Sequence, residues 1–155
     1  MSKLSTMITF ANHAHKDQKY GSQPYSYHLE RVLIFAKMFT DDEDVLCAAY
    51  GHDLIEDTTV TKKTIENIFG HQVAELIWRV TDEDGVNRSE RKTKTLPKTG
   101  AHQNAVLIKL ADRLANVSEG GKVDMYKKEQ LELQKHLYRK GYNEKAWKML
   151  NDKLQ

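Results

Sequence analysis

The stretch His52-Asp53-Leu54-Ile55-Glu56-Asp57 places one imidazole and three carboxylates within six consecutive residues, directly after an apolar run. Carboxylates at this spacing repel one another unless a bound cation, basic side chains or solvent offsets their charge. If the preceding helix continues, the last two carboxylates lie one helical turn beyond the histidine and the first aspartate. A histidine with an aspartate is a partial ligand set for a divalent metal such as Mn²⁺, Fe²⁺ or Zn²⁺, and the carboxylates one turn on would orient a water molecule and accept its proton. On spacing alone, a helix that ends in solvent explains the pattern equally well.

Two further polar residues lie where apolar residues are expected. His28 falls on the apolar face of a predicted helix, where it needs a polar partner, and a satisfied core histidine is the ordinary explanation. Asp112 lies within the run IKLADRL, and its neighbour Arg113 is a poor partner because adjacent helical residues point about 100° apart. Asn116 lies one turn beyond Asp112 on the same helix face. Three separate helices therefore each carry a polar residue that metal binding would satisfy.

These residues form a pattern that resembles a known family. His28, the pair His52-Asp53 and Asp112 match, in order, the H…HD…D pattern of the HD-domain metal-dependent phosphohydrolases. Within that family the chain is similar to the hydrolase domain of the RelA/SpoT group, in its small, single-domain, Mesh1-like form. Five segments carry the resemblance: ANHAHKDQ (11–18), PYSYH (24–28), AAYGHDLIEDT (48–58), FGHQVAELIWRVTD (69–82) and IKLADRLAN (108–116).

The resemblance implies a fold, a metal and a set of site residues. The fold is an all-α, compact multi-helix HD-domain bundle. The cofactor is a divalent metal, usually Mn²⁺, with four ligands: His28, His52, Asp53 and Asp112. Glu56 and Asp57 occupy the positions of the catalytic carboxylates. Asn116 occupies the position that contacts the nucleotide.

The resemblance also implies a reaction. It is the removal of pyrophosphate from the 3′ position of guanosine tetra- or pentaphosphate (ppGpp or pppGpp), the alarmone of the stringent response, with GDP or GTP and pyrophosphate as products. A divalent ion suits this chemistry because it makes hydroxide available near neutral pH and screens the phosphate charge from the nearby carboxylates. The chain is too short for the synthetase and regulatory domains of the long family members, so we expect it only to degrade the alarmone.

The loop before the first proposed metal ligand departs from the family pattern. The family has an arginine there that stacks on guanine, whereas this loop reads QKYGSQPY (18–25), one residue shorter and without arginine. We expect Lys19, through its charge, or Tyr20, by stacking, to take over this role, although neither is equivalent to arginine. The basic run 88–98 is interpreted either as a phosphate-binding segment, through Arg91 and Lys92, or as a solvated helix face. Lys109 and Arg113 flank Asp112. We expect them either to contact phosphate groups or to anchor the ends of helices.

Three alternatives to alarmone hydrolysis stay open at this stage. The first is an HD phosphohydrolase that acts on another nucleotide, such as a phosphorylated dinucleotide. The second is a nucleotide-binding module without turnover, which the complete set of polar residues disfavours. The third, a purely structural bundle, gives no reason for polar side chains on three apolar helix faces.

Composition sets the broad class of protein. The chain has 155 residues, of which 39% are hydrophobic and 30% charged, which predicts one globular domain over residues 1–155. A formal net charge of +2 is too small to predict binding to a nucleic acid polymer, so a small-molecule nucleotide is the expected partner. The single cysteine, Cys47, excludes an internal disulfide. With no long apolar run and no secretory signal, we expect a cytoplasmic protein without a membrane span, and the sequence indicates no particular oligomeric state.

Helical periodicity places the site residues on predicted elements. A turn is expected at 20–24, between a first helix and the helix that carries His28, and the third helix is expected to run without a break through His52. Pro97 and Gly100 are interpreted as helix breakers after a short helix. The helices are expected at residues 4–14, 26–39, 41–52, 62–69, 73–80, 89–96, 101–117, 123–139 and 143–154.

Overall fold

The structure, a computed structural model, describes residues 2–155 and confirms the all-α class. Residues 2–155 form ten helices and one short antiparallel hairpin. None of these helices is long and apolar enough to cross a lipid bilayer. The elements are α1 (Lys3–Ala14), β1 (Lys19–Tyr20), β2 (Gln23–Pro24), α2 (Tyr25–Lys37), α3 (Glu43–Tyr50), α4 (Leu54–Asp57), α5 (Lys62–Phe69), α6 (His71–Val80), α7 (Arg88–Gly100), α8 (Gln103–Ser118), α9 (Val123–Leu137) and α10 (Glu144–Leu154).

Short polar side chains cap four of the helix starts. A cap accepts a hydrogen bond from a backbone N–H of the first turn and stabilises the helix by about 1 kcal/mol. Ser2 accepts from the Ser5 amide at the start of α1, and Asp42 accepts from the Asp44 amide at the start of α3. Thr61 caps α5 and Asn87 caps α7 in the same way. These caps fix where each helix begins, and so which side chains of that helix face inward.

Helix α8 is the centre of the bundle. It packs against α2, α3, α6, α7, α9 and α10, and its apolar side chains, including Ile108, Leu110 and Leu114, are fully buried. Helix α2 packs closely along α8 and α3. Since α8 carries Asp112 and α2 carries His28, this packing brings two predicted site residues together from helices far apart in the sequence.

The prediction that the third helix runs through His52 is wrong. Helix α3 ends at Tyr50, and Gly51, His52 and Asp53 form a turn before the short helix α4. At Gly51 the chain passes close to α1, and a Cβ there would lie 2.9 Å from the Met7 sulfur. The turn directs His52 and Asp53 into one cavity, although consecutive residues of a continuous helix would point about 100° apart.

The interpretation of Pro97 and Gly100 as helix breakers is also wrong, because both lie inside α7. Arg79 of α6 fixes this last turn from outside: its Nη1 donates to the Lys98 carbonyl at 2.9 Å, and its carbonyl accepts from the Thr99 hydroxyl. These bonds stabilise a helical turn that proline alone disfavours.

The expected turn at 20–24 is part of a small hairpin. Lys19 pairs with Pro24 and Tyr20 pairs with Gln23 in antiparallel register. The hairpin packs against α2 and places the Tyr20 ring beside that helix.

Candidate active site

Asp112 and His28 form the first contact of the site. The Asp112 Oδ1 accepts a hydrogen bond from His28 Nε2 at 3.0 Å, and the His28 side chain is almost fully buried. Burial opposes ionisation of Asp112, but His52 and His28 hold the pKa of its carboxyl well below the usual value. The histidine on the apolar face of α2 and the aspartate in the apolar run of α8 are therefore hydrogen-bond partners.

His52 directs one ring nitrogen into the same place. Its Nδ1 donates to the Ala49 carbonyl at 2.8 Å, which leaves Nε2 facing away from α3. That Nε2 lies 3.1 Å from Asp53 Oδ2 and 3.3 Å from Asp112 Oδ1, yet it makes no hydrogen bond to any atom of residues 2–155. Burial alone would lower the pKa of His52, whereas these two carboxylates raise it well above the usual value.

The residues present fit a divalent metal ion. His28, His52 and Asp53 each offer a ligand atom within 4.8 Å of the others, and Asp112 contacts both imidazoles. A buried Nε2 without a hydrogen bond, next to two carboxylates, is a costly arrangement that a cation would relieve. Two imidazoles with two carboxylates are a donor set suited to first-row divalent metals.

Tyr25 holds one of these carboxylates and was missed by the sequence analysis. Its hydroxyl donates to Asp53 Oδ2 at 2.5 Å. Burial, and then the negative charge of Asp53, raise the pKa of Tyr25, so the phenol stays protonated and remains a donor. Its position in the sequence could have indicated this role, because Tyr25 lies one helical turn before His28 on the same face of α2.

Glu56 and Asp57 lie beside Asp53. Oxygens of all three carboxylates lie within 4.8 Å of one another. Glu56 Oε1 accepts the backbone N–H of Asp82 at 2.7 Å, which fixes its orientation, and the Asp82 carboxylate is itself bound by Lys92 Nζ at 2.9 Å. Burial and the charges of Asp53 and Glu56 raise the pKa of Asp57 to about 6. Asp57 can therefore exchange a proton near neutral pH.

These groups open into a cavity of about 340 Å³ whose lining carries five basic and five acidic side chains. Of the predicted substrate-binding residues, Lys19, Tyr20, Lys92 and Asn116 line it. Arg91 does not line it, and this part of the prediction is corrected. The lining cations are Lys19, Arg88, Lys92, Lys109 and Lys122.

The position of Arg91 follows from the helical geometry of α7. Arg88 and Lys92 are one turn apart and share the face that lines the cavity, whereas Arg91 packs over Gly85, where a Cβ would lie 2.9 Å from the Arg91 amide. The sequence identified the basic segment but assigned one of its residues to the wrong face.

A chain of hydrogen-bonded polar side chains forms part of the cavity wall. The Tyr20 hydroxyl donates to Asn116 Oδ1 at 2.8 Å, and Asn116 Nδ2 donates to the Tyr126 hydroxyl at 2.9 Å. The Tyr20 ring stacks on the His28 ring, with centroids 4.8 Å apart and planes 13° apart. One face of the predicted base-stacking ring is thus covered by the protein.

Arg113 is a structural anchor. It is 1% exposed, its Nη2 lies 2.8 Å from Glu129 Oε1, and its guanidinium lies over the Tyr126 ring at 4.1 Å. Glu129 also binds Arg88 Nε at 2.6 Å, so one carboxylate joins α7, α8 and α9. Of the two roles left open for Arg113, the structure shows the anchoring one.

The all-helical fold and the histidine–aspartate pair define the class of protein. A sequence model described as HD domain matches residues 8–138, and the chain belongs to this family. It is 32% identical over 124 residues to the Drosophila melanogaster guanosine-3′,5′-bis(diphosphate) 3′-pyrophosphohydrolase MESH1, covering 76% of this chain and 69% of the fly protein. It is 36% identical over 125 residues to the Mus musculus protein of the same name, with 76% and 69% covered.

A solved structure shares nearly the whole fold. It belongs to a protein described as a metazoan ortholog of SpoT that hydrolyzes ppGpp and plays a role in starvation responses. The TM-score is 0.83 at 26% identity, with 99% of this chain and 94% of that chain covered.

Proposed function

We propose that this chain is a metal-dependent hydrolase of the 3′-pyrophosphate of guanosine tetra- or pentaphosphate. The single observation that carries the proposal is the convergence of His28, His52, Asp53 and Asp112 around the unpartnered His52 Nε2, on the wall of a cavity that five basic side chains also line. Similarity to proteins named guanosine-3′,5′-bis(diphosphate) 3′-pyrophosphohydrolase supports the choice of substrate. Residues 1–155 act as one hydrolase domain, in the cytoplasm, in the breakdown of the stringent-response alarmone.

Four residues hold the metal, which we propose to be Mn²⁺: His28, His52, Asp53 and Asp112. Bound there, a divalent ion supplies a Lewis acid that lowers the pKa of water and offsets phosphate charge. Tyr25 and the Ala49 carbonyl orient two of the ligands: Tyr25 donates to Asp53 Oδ2, the oxygen that faces His52 Nε2, and the Ala49 carbonyl holds the His52 ring nitrogen opposite Nε2.

Glu56 and Asp57 handle the attacking water and its proton. Glu56 is held by the Asp82 amide and orients the water, while Asp57, with its pKa raised to about 6, takes the proton. The water oxygen forms a bond to the phosphorus attached to O3′ of the substrate, and the bond between that phosphorus and O3′ breaks. The proton is returned to O3′, so the products are GDP or GTP with a free 3′-hydroxyl and pyrophosphate.

The remaining lining residues bind the nucleotide. Lys19 and Lys92 offset phosphate charge, while Tyr20 and Asn116 contact the nucleoside at the end of the cavity where their side chains meet. Arg88 joins this set in place of Arg91.

A second candidate is hydrolysis of a phosphate on another nucleotide, such as a phosphorylated dinucleotide. The observation that favours it is the hairpin, which carries Lys19 and Tyr20 and no arginine, with one face of the Tyr20 ring already stacked on His28. Arginine offers a planar cation and a fork of hydrogen-bond donors that neither residue reproduces.

The test is to incubate purified protein with the alarmone and Mn²⁺, with and without a chelator, and to measure pyrophosphate. We expect turnover that the chelator abolishes. Asp53→Ala should lose both bound metal and activity, whereas Glu56→Ala should keep the metal and lose about 10²- to 10⁴-fold in rate. Equal metal loss in both variants would contradict the assigned roles. Turnover of other nucleotides without turnover of the alarmone would favour the second candidate.

A further inference from the structure

The cations that line the cavity differ in whether a carboxylate already binds them. Lys92 lies 2.9 Å from Asp82 Oδ1, and Arg88 lies 2.6 Å from Glu129 Oε2. In residues 2–155, the other lining cations, Lys19, Lys109 and Lys122, form no ion pair. Lys19 and Lys122 are exposed, where solvent and salt screen their charge, but Lys109 is half-buried.

Lys109 is placed next to the proposed chemistry by the geometry of α8. It precedes Asp112 by one helical turn, so its side chain lies on the same face as the carboxylate that contacts both imidazoles. Its charged neighbours are Lys92, Arg113, Asp112 and Asp82. The ammonium therefore lies within range of the charge of Asp112 and of the Asp82–Lys92 pair.

A confined cation without a counter-ion is unfavourable for the fold by itself. Burial, followed by the charges of Lys92 and Arg113, lowers the pKa of Lys109 to about 7. Within residues 2–155, the Lys109 ammonium donates no hydrogen bond to another residue. An anion that enters the cavity would supply the missing counter-charge.

We propose that Lys109 is a catalytic residue whose ammonium contacts the 3′-diphosphate group of the substrate, the group that leaves as pyrophosphate, beside the metal ligands. The proposal rests on the proposed function and extends it, because it assigns the diphosphate to the half-buried side of the cavity and the nucleoside to the Tyr20–Asn116 side. Lys92 and Arg88 are less available, since each would first have to release its carboxylate.

The experiment measures binding of inorganic pyrophosphate and of GDP, separately, to the Mn²⁺-loaded protein by calorimetry. The variants are Lys109→Met and Lys109→Arg, with Lys63→Met as the matched control, because Lys63 is exposed and lies outside the cavity lining. We expect Lys109→Met to weaken pyrophosphate binding about ten- to one-hundredfold, the loss expected for one hydrogen bond to a charged group. Its affinity for GDP should stay within about twofold, Lys109→Arg should recover part of the loss, and Lys63→Met should match the wild type.

Two further measurements separate this role from a structural one. Removing an unpaired half-buried charge should leave the melting temperature of the metal-free protein unchanged or higher, and metal content should equal that of the wild type. A lower melting temperature, loss of metal, equal weakening of GDP and pyrophosphate, or unchanged pyrophosphate binding would each overturn the assignment. If the wild type does not hydrolyse the alarmone while pyrophosphate binding still depends on Lys109, the proposed function fails and the diphosphate assignment stands.

Discussion

Replacing Tyr25 with phenylalanine should weaken metal binding through a single lost hydrogen bond. The Tyr25 hydroxyl donates to Asp53 Oδ2 at 2.5 Å, and phenylalanine keeps the ring, which packs against His15 and His28, while it removes the donor. Without this donor, the Asp53 carboxylate loses the contact that fixes its orientation toward His52.

The magnitude follows from two independent routes. A hydrogen bond to a charged group contributes about 1.5–3 kcal/mol. Loss of a partner that orients a metal ligand costs about 10- to 100-fold in metal affinity, which corresponds to about 1.4–2.7 kcal/mol. Since the two ranges overlap, we expect the dissociation constant for Mn²⁺ to rise by about one to two orders of magnitude.

The assay is a Mn²⁺ titration of the metal-free protein in competition with a chelating dye. Tyr27→Phe is the matched control, because its hydroxyl donates to Glu119 Oε1 at 2.6 Å on the exposed side of the same helix. A Tyr25→Phe protein that binds Mn²⁺ within about twofold of the wild type would refute the reasoning, since the expected loss is about tenfold or more. Equal weakening in Tyr27→Phe would refute it as well.

Two other predictions concern groups outside the metal site. Burial opposes ionisation of Glu129, but hydrogen bonds from Arg88 and Arg113 lower its pKa to about 2. The ionised carboxylate therefore stabilises the folded state fully above pH 4.5, its usual pKa, and this stabilisation is lost as the pH falls toward 2. Glu129→Gln should therefore lower the free energy of unfolding, measured by urea denaturation, by about 3 kcal/mol near pH 7 and by less at each lower pH. A loss that does not change with pH would contradict this reasoning. Burial raises the pKa of the Cys47 thiol to about 12, so thiol reagents should label Cys47 only after the protein unfolds. Fast labelling of Cys47 in the native protein would contradict this prediction.

The parts of the molecule that the sequence predicted well depend on short-range patterns. Helix starts such as Thr61 are marked by residues that bond within one turn, and the prediction of a Thr61 cap is confirmed. The polar residues on apolar helix faces also indicated that they would meet, because a buried His28 and a half-buried Asp112 each need a partner.

The parts that the sequence did not predict depend on contacts from distant elements. The end of α3 at Gly51 reflects the close approach of Met7 from α1, and the helical turn around Pro97 is stabilised by Arg79 from α6. No local periodicity carries the information in these two contacts. The exclusion of Arg91 from the cavity instead follows from the helical phase of α7, which begins at its cap Asn87.

The glycine at position 100 shows how a residue remote from the chemistry can restrict it. A Cβ at Gly100 would overlap the carbonyl oxygen of His136, so the backbones of α7 and α9 touch at this point. Even alanine would force the two helices apart, and α7 would move Arg88 and Lys92 at its other end. The amino acid at position 100 is thereby restricted by the shape of a cavity that it never touches.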